Sequence, residues 1–336
     1  MTSPGDALVR ARIRLAVNEA VRGYLFDPNV RMIDFGNPRR QGNLCEDEGA
    51  IRVHVRRKLA GASLESAVRA GDTVPIPKVI AGFQTDVTVG RYRPHFVFPG
   101  SSSRPAKVSP YWRRARSSRA TRADPMSGGI SISDAAQYTY GTLGGLVFDR
   151  ATGAPMILSN WHVLVGDWSQ RPGLAIYQPG RLDGGVYTDS VARYVRDAMA
   201  ANLDAAVATV GNVRRLINDQ VDLGPVRGSM TAEIGMDVVK SGRASGVTYG
   251  RVTGIEGSQR MQYAGVERLI RNCVAIEPRE DGAQVSTGGD SGSLWLDADS
   301  RRAVGLHFAG SDVPERALAI DLATVLDVLQ VQLAAA

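Results

Sequence analysis

From Tyr138 onward the chain is cut into short apolar runs, and this segmentation limits its possible folds more than any other feature. Stretches at Gly144–Phe148, Pro155–Ser159, Leu174–Tyr177, Val186–Tyr194 and Leu203–Val210 alternate with glycine-bearing turns. The pattern resumes at Val238–Lys240, Val247–Ile255, Leu269–Ile276, Gly292–Leu296 and Ala303–Phe308. Regular short strands joined by tight turns predict an antiparallel sandwich or a pair of barrels. Composition agrees, with 37 glycines in 336 residues and only 6% aromatics. Asp321–Leu333 departs from the pattern. Its apolar positions Leu322, Val325, Leu326, Val328, Leu329 and Leu333 predict one amphipathic C-terminal helix.

Residues 1–92 read differently. Apolar positions at Leu8, Ile13, Leu15, Ala16 and Ala20 predict a helix over Ala7–Val21, and Ser63–Arg69 reads as a second. Val30–Ile33 is a short apolar run. Ile51, Val53 and Val55 alternate with Arg52, His54 and Arg56, as in a strand with one solvated face, which is where His54 is expected. Val79–Val89 is strand-like and broken by Gly82. The order helix, strand, strand, helix, strand predicts a small α+β domain, and nothing in it suggests chemistry.

Charge marks the boundary. Arg93–Gly128 holds eight basic residues against one acid, Asp124, so its net charge of +7 exceeds the +6 of the whole chain. Pro94, Pro99, Pro105, Pro110 and Pro125 and two serine runs accompany these charges. Proline, serine and self-repelling arginines do not support a packed core. Residues 93–137 therefore read as a linker between a domain over 1–92 and one over 138–336. Tyr111 and Trp112 beside Arg113 and Arg114 could stack on bases, but one aromatic pair gives nucleic-acid binding little support.

Other classes are excluded by what is missing. No stretch nears the roughly 20 apolar residues of a membrane span, and Met1–Ala20 lacks the apolar core of a signal peptide. The 2 cysteines, Cys45 and Cys273, form neither a disulfide framework nor a zinc pattern and suggest a reducing, cytoplasmic compartment. His54, His95, His162 and His307 contain no i, i+3 or i, i+4 pair, and there is no GxxxxGK[ST] loop. Neither metal nor cofactor is expected.

The chemistry lies on the strand-rich part. Gly288-Gly289-Asp290-Ser291-Gly292-Ser293 precedes the apolar Leu294-Trp295-Leu296. A serine between glycines on a tight turn exposes its hydroxyl, and such a weak nucleophile needs a base. His162, in Leu158-Ser159-Asn160-Trp161-His162-Val163, ends an apolar strand and is the candidate base. A base of this kind needs an acid to hold its tautomer. Asp204, opening the apolar Leu203–Ala208 stretch, fits better than Asp183, Asp189 or Asp197.

The order His162, Asp204, Ser291 and the Gly-Asp-Ser-Gly-Ser turn resemble the chymotrypsin-like (trypsin-fold) serine peptidases over residues 138–333. Gly141–Val147, Leu158–Val163, Gln178–Gly185 and Val239–Arg243 are similar to bacterial trypsin-like peptidases that lack disulfides. Residues 1–92 resemble a leader domain found before such enzymes. The resemblance implies a mainly β fold of two six-stranded antiparallel β-barrels with the site between them. It implies peptide-bond hydrolysis through an acyl-enzyme, with Ser291 as nucleophile, His162 as base and Asp204 as the orienting acid. The amides of Gly289 and Ser291 would form the oxyanion hole. Where relatives are activated by cleavage, a freed Ile or Val N-terminus pairs with the acid before the nucleophile, here Asp290. No Ile/Val-Val-Gly-Gly sequence stands before the first barrel strand, so Asp290 requires another partner.

The resemblance also places Val285, six residues before Ser291, at the base of the primary pocket. The lack of an aspartate there argues against Arg or Lys at P1. Ser286 and His307 resemble the hydroxyl and imidazole of glutamyl endopeptidases and viral 3C-like peptidases, which accept Glu or Gln. An imidazole and a hydroxyl can pair with a carboxylate or amide oxygen. A buried strand histidine, or a small apolar pocket at Val285, are the alternatives. The expected partner is a protein or peptide, with one dedicated bacterial protein as a narrower reading. A catalytically latent peptidase-fold binding module and a nucleic-acid-associated protein acting through the basic linker are the competing functions.

Overall fold

The computed structural model describes residues 4–40, 43–45, 48–94 and 118–334. The N-terminal segment contains α1 (Pro4–Tyr24), β1 (Val30–Gly36), β2 (Ala50–Val55), α2 (Gly61–Arg69), β3 (Val79–Ile80) and β4 (Phe83–Val89), in the order its periodicity predicts. Helix α1 buries Ile13, Ala16, Val17, Ala20 and Val21 along one stripe, the i, i+3, i+4 spacing of an amphipathic helix. β1 pairs antiparallel with β2, and β2 parallel with β4. β5 (Arg93–Pro94) follows.

The first barrel is built from β6 (Ser131–Asp134), β7 (Gly141–Thr142), β8 (Gly145–Asp149), β9 (Pro155–Ser159), α3 (Trp161–Leu164), β10 (Ala175–Tyr177), β11 (Ser190–Asp197) and β12 (Ala206–Val210). The strands pair in the order β7, β6, β10, β11, β12, β9, β8. Only Leu143 and Gly144 separate β7 from β8, so the two ends of this sheet are one line of chain and the sheet closes on itself.

The second barrel uses β13 (Asp237–Gly242), β14 (Gly246–Tyr263), β15 (Val266–Pro278), β16 (Leu294–Asp297), β17 (Ala303–Asp312) and β18 (Glu315–Asp321). Their order is β13, β16, β17, β18, β15, β14, and a β13–β14 pairing closes the ring. Closure removes sheet edges that would otherwise be open to further pairing. The fold is thus mainly β, with two six-stranded antiparallel barrels.

Three features differ from the sequence reading. The first concerns the N-terminal segment. β1 pairs with β14 (Met32 opposite Gln259), so this segment extends the second barrel's sheet. One core holds Val17, Ile33, Ile51 and Val53 together with Val252, Val274, Trp295 and Val304. All six residues of β2 are buried, and His54 is 0% exposed rather than solvated. Alternation marked a polar face correctly but could not tell that another layer covers it.

The second concerns the linker. Residues 95–117, with Tyr111, Trp112, Arg113 and Arg114, lie outside the described residues. Residues 118–137 are folded. β6 belongs to the first barrel, and Arg119 is buried, donating to the carbonyls of Gly129 and Val221 and to Ser241 and Asp222. Local composition reads such an arginine as solvated because its acceptors come from distant parts of the chain.

The third concerns the C-terminus, where the predicted helix stops early. α4 (Leu322–Val328) is capped by Asp321, whose Oδ1 accepts the Thr324 amide at 2.9 Å. Gln330 then takes a left-handed φ of 52°. β19 (Val331–Leu333) leaves the helix and joins the edge of β8, Leu333 opposite Val147.

Candidate active site

His162 lies on α3, one residue into the short helix that follows β9, rather than at a strand end. Its backbone amide donates to Asp204 Oδ1 at 3.1 Å, and its Nδ1 meets Asp204 Oδ2 at 2.5 Å. Asp204 stands two residues before β12, after a turn in which Asn202 takes a left-handed φ of 64°. It is completely buried. Two further contacts fix it: Tyr263 Oη donates to Oδ2 at 2.9 Å, and Asn160 Nδ2 donates to the Asp204 carbonyl at 2.7 Å. Tyr263 ends the long strand β14 of the other barrel, so both barrels hold this acid.

Ser291 lies between Gly289 and Gly292, with φ of 98° and 97°. These left-handed angles strain any residue with a Cβ. Space forbids one too: a Cβ at Gly289 would lie 2.2 Å from the Tyr140 ring, and one at Gly292 would lie 2.1 Å from Ser159 Oγ. Ser291 Oγ donates to the Phe308 carbonyl at 3.2 Å. Among the described residues, neither the Gly289 nor the Ser291 amide donates to another group of the chain.

β7 joins the two halves of the site. The Thr142 amide holds the Ser291 carbonyl at 2.7 Å, and Thr142 Oγ1 donates to the Gly289 carbonyl at 2.8 Å. The same hydroxyl accepts from the Arg243 amide at 3.0 Å. A Cβ on Gly141 would touch both Val163, the neighbour of His162, and the Ser291 carbonyl. The serine turn and the residue next to His162 therefore meet on one strand of the first barrel.

Asp290 has the partner that the sequence left open. Lys240 Nζ lies 2.9 Å from its Oδ2, with both side chains fully buried. Oδ2 also accepts from Ser245 Oγ at 2.6 Å and the Thr287 amide at 3.0 Å. Oδ1 accepts from the amides of Ala244 and Ser245. Burial by itself raises the Asp290 carboxyl, but Lys240, His307 and Ser245 outweigh it and hold the group ionised well below the ordinary carboxylate range.

Val285, Ser286 and His307 are buried. Glu315 on β18 supplies a carboxylate beside the first two. Its Oε1 accepts the amides of Val285 at 3.0 Å and Ser286 at 3.4 Å. The region next to Val285 is therefore not free of acid, as the lack of an aspartate at 285 suggested. Burial pushes the Glu315 carboxyl above its usual range. Among the described residues the buried Ser286 hydroxyl has no hydrogen-bond partner, and the Trp295 indole N–H points at His307 Nδ1 at 3.4 Å.

Sequence reasoning selected none of Tyr263, Lys240, Thr142 and Glu315 as site residues. The last three had a visible signal, since each is a polar residue in or next to an apolar strand run. Among the described residues, no group of three or more His, Cys, Asp or Glu is arranged to hold a metal ion.

Two closed antiparallel barrels with a serine turn and a His–Asp pair meeting at β7 define a protein of the chymotrypsin-like fold class. Solved structures of that kind are similar to this chain. The chymotrypsin of Cellulomonas bogoriensis is 16% identical, covering 62% of this chain and 98% of its own, with a TM-score of 0.45. Protease A of Thermobifida fusca is 16% identical with the same coverage and a TM-score of 0.47. A serine protease described as specific for glutamic acid is 18% identical, covering 62% of this chain and all of its own, with a TM-score of 0.47. No family model and no curated protein matches the chain.

Proposed function

We propose that the protein is a serine endopeptidase acting on proteins or peptides through Ser291, His162 and Asp204. The observation that carries this reading is the buried Asp204–His162 pair set across β7 from a serine between two left-handed glycines. With Asp204 on Nδ1, Nε2 is the nitrogen that takes the proton from Ser291 Oγ. Oγ leaves the Phe308 carbonyl and attacks the substrate carbonyl carbon. The tetrahedral oxyanion is stabilised by the amides of Gly289 and Ser291, which the chain itself does not use. The C–N bond then breaks, His162 returns its proton to the leaving amine, and an acyl-enzyme remains on Ser291. Water, deprotonated by His162, releases the second product.

The Lys240–Asp290 pair supports a site that forms without a new N-terminus, because the counter-charge is already inside the barrel. At P1 the pocket favours glutamine over glutamate. The unpartnered Ser286 hydroxyl can donate to an amide oxygen, and Glu315 can accept from the amide nitrogen, whereas two carboxylates would repel. Glu315 equally favours a second reading, a cationic P1 side chain. A reducing, cytoplasmic compartment belongs to this proposal, since Cys45 and Cys273 form no disulfide. So do a leader over 1–92, a peptidase domain over 138–336 and, as substrate, one dedicated bacterial protein.

A P1-randomised peptide library, cleaved by wild type and by Ser291→Ala, tests the proposal. Cuts after glutamine that vanish in the variant support it in full. Cuts after Arg or Lys that vanish keep the peptidase and replace the pocket reading. Cuts that persist in Ser291→Ala overturn the assignment.

A further inference from the structure

A peptide that is cleaved in register with a sheet adds to a free strand edge, so the edge beside Ser291 decides access to the site. β17 offers that edge at Ala309–Gly310. On one side these residues pair with Leu318 and Ala317 of β18, while β16 pairs with β17 only as far as Leu306. The residue before them, Phe308, is the one whose carbonyl meets Ser291 Oγ. The open side is occupied by the chain itself. β5 pairs antiparallel with it, Arg93 opposite Gly310 and Pro94 opposite Ala309. Proline has no N–H, so Arg93 and Gly310 are the pair that exchanges backbone hydrogen bonds. Running antiparallel to β17, β5 heads toward Phe308.

The side chains of Tyr92 and Arg93 anchor this segment at its N-terminal end. The Arg93 guanidinium pairs with the Asp312 carboxylate, and both groups are well exposed. Tyr92 Oη lies 2.8 Å from His54 Nδ1 and accepts from Arg316 Nη1 at 3.3 Å. The tyrosine ties the strand to the interior, whereas the exposed ion pair is of the kind that holds weakly in water.

We propose that Arg93–Pro94 is an internal competitor for the substrate edge, and that cleavage of another chain requires β5 to leave it. This rests on the peptidase reading. In the resting protein only the fraction with β5 displaced can bind substrate, so the apparent KM is raised by the inverse of that fraction and kcat is unchanged.

The test uses full-length wild type, Arg93→Glu, the charge-exchanged Arg93→Glu/Asp312→Arg, and Ser291→Ala. Two probes are applied: fluorescein-labelled casein, and a small fluorophosphonate that reports a reactive Ser291 without needing the strand edge. Arg93→Glu is expected to lower KM for casein by about fivefold or more at constant kcat, and the charge exchange to restore the wild-type value. Hydrogen exchange at the Gly310 amide should quicken in Arg93→Glu and slow again in the double variant. Equal KM and equal exchange in proteins that label normally overturn the competitor and leave the peptidase standing. Labelling no greater than in Ser291→Ala overturns the peptidase, and the competitor with it.

Discussion

Among the described residues, two buried Asp–His pairs each carry a tyrosine contact. Asp204 and His162 are joined at 2.5 Å with Tyr263 on the acid. Asp34 and His54 are joined at 3.1 Å with Tyr92 on the imidazole. The difference lies in what else each group meets. Asp204 takes one imidazole, one amide and one phenol. Asp34 takes the Arg52 guanidinium through Nε at 2.8 Å and Nη2 at 2.5 Å in addition to His54. His54 is bonded at both ring nitrogens, by Asp34 and by Tyr92, and has no exposed surface. An imidazole closed at both ends cannot pass a proton to a substrate. On the proposed reading the same pair of residue types serves proton transfer in one place and cohesion between the N-terminal strands and the barrel in the other, and the further partners of each pair make the difference.

The largest effects should separate the two pairs by activity. Ser291→Ala is expected to lower kcat by about 10⁶, and Asp204→Asn by about 10⁴, measured on the peptide selected from the library. Asp34→Asn should leave kcat within about tenfold and act on stability instead. Leaving a buried Arg52 without its counter-charge costs about 3–5 kcal/mol, to be read from urea unfolding. A large loss of kcat with Asp34→Asn, at intact stability, would erase the distinction.

Lys240→Met should also cost about 3–5 kcal/mol by stranding Asp290, with a loss of activity that Asp34→Asn does not show. Lys240→Arg is expected to recover part of both. A smaller effect is due at Tyr263. Its hydrogen bond to the Asp204 carboxylate is of the class worth about 1.5–3 kcal/mol, so Tyr263→Phe should lower kcat roughly tenfold or somewhat more, with KM little changed. An unaltered kcat would limit Tyr263 to packing.

The smallest effect is one of pH, and it belongs to the His54 pair. Burial lowers the His54 pKa, against the opposing pull of Asp34. The unfolded chain therefore binds a proton below about pH 6.5 that the folded chain refuses, and stability should fall as pH drops through that region. Burial raises the Asp34 carboxyl, but Arg52 and His54 reverse this and depress it. Its contribution is present above the ordinary carboxylate value and is lost only at strongly acid pH. Unfolding free energies between pH 5 and 8, compared for wild type and His54→Gln, check the assignment. An unchanged slope in the variant would remove His54 from the account.

Much of the fold was legible because its signals are local. Short apolar runs announce strands, a run of glycines announces the tight turn at Ser291, and helix periodicity gave both N-terminal helices. Residues 118–137, the surroundings of His54 and the length of the last helix were misread for one shared reason. Composition and periodicity report which groups are polar or apolar, but not what will be packed against them. Arg119 sits in a proline- and arginine-rich stretch and is buried all the same, because Gly129, Val221, Ser241 and Asp222 supply acceptors. Val331–Leu333 is apolar enough to continue a helix, yet the open edge of β8 turns it into a strand.

The sequence by itself marked the short strands and the glycine turn, and singled out His162, Asp204 and Ser291 as candidates, since these signals lie in immediate neighbours along the chain. The tertiary structure alone decided the partners. Lys240 reaches Asp290 across 50 positions, Tyr263 reaches Asp204 across 59 and Arg316 reaches His54 across 262. It also decided that Arg93–Pro94 lies on the edge beside Ser291. Charges and strand edges are satisfied by whatever the fold brings near them, and nearness in space is not written in nearness along the chain.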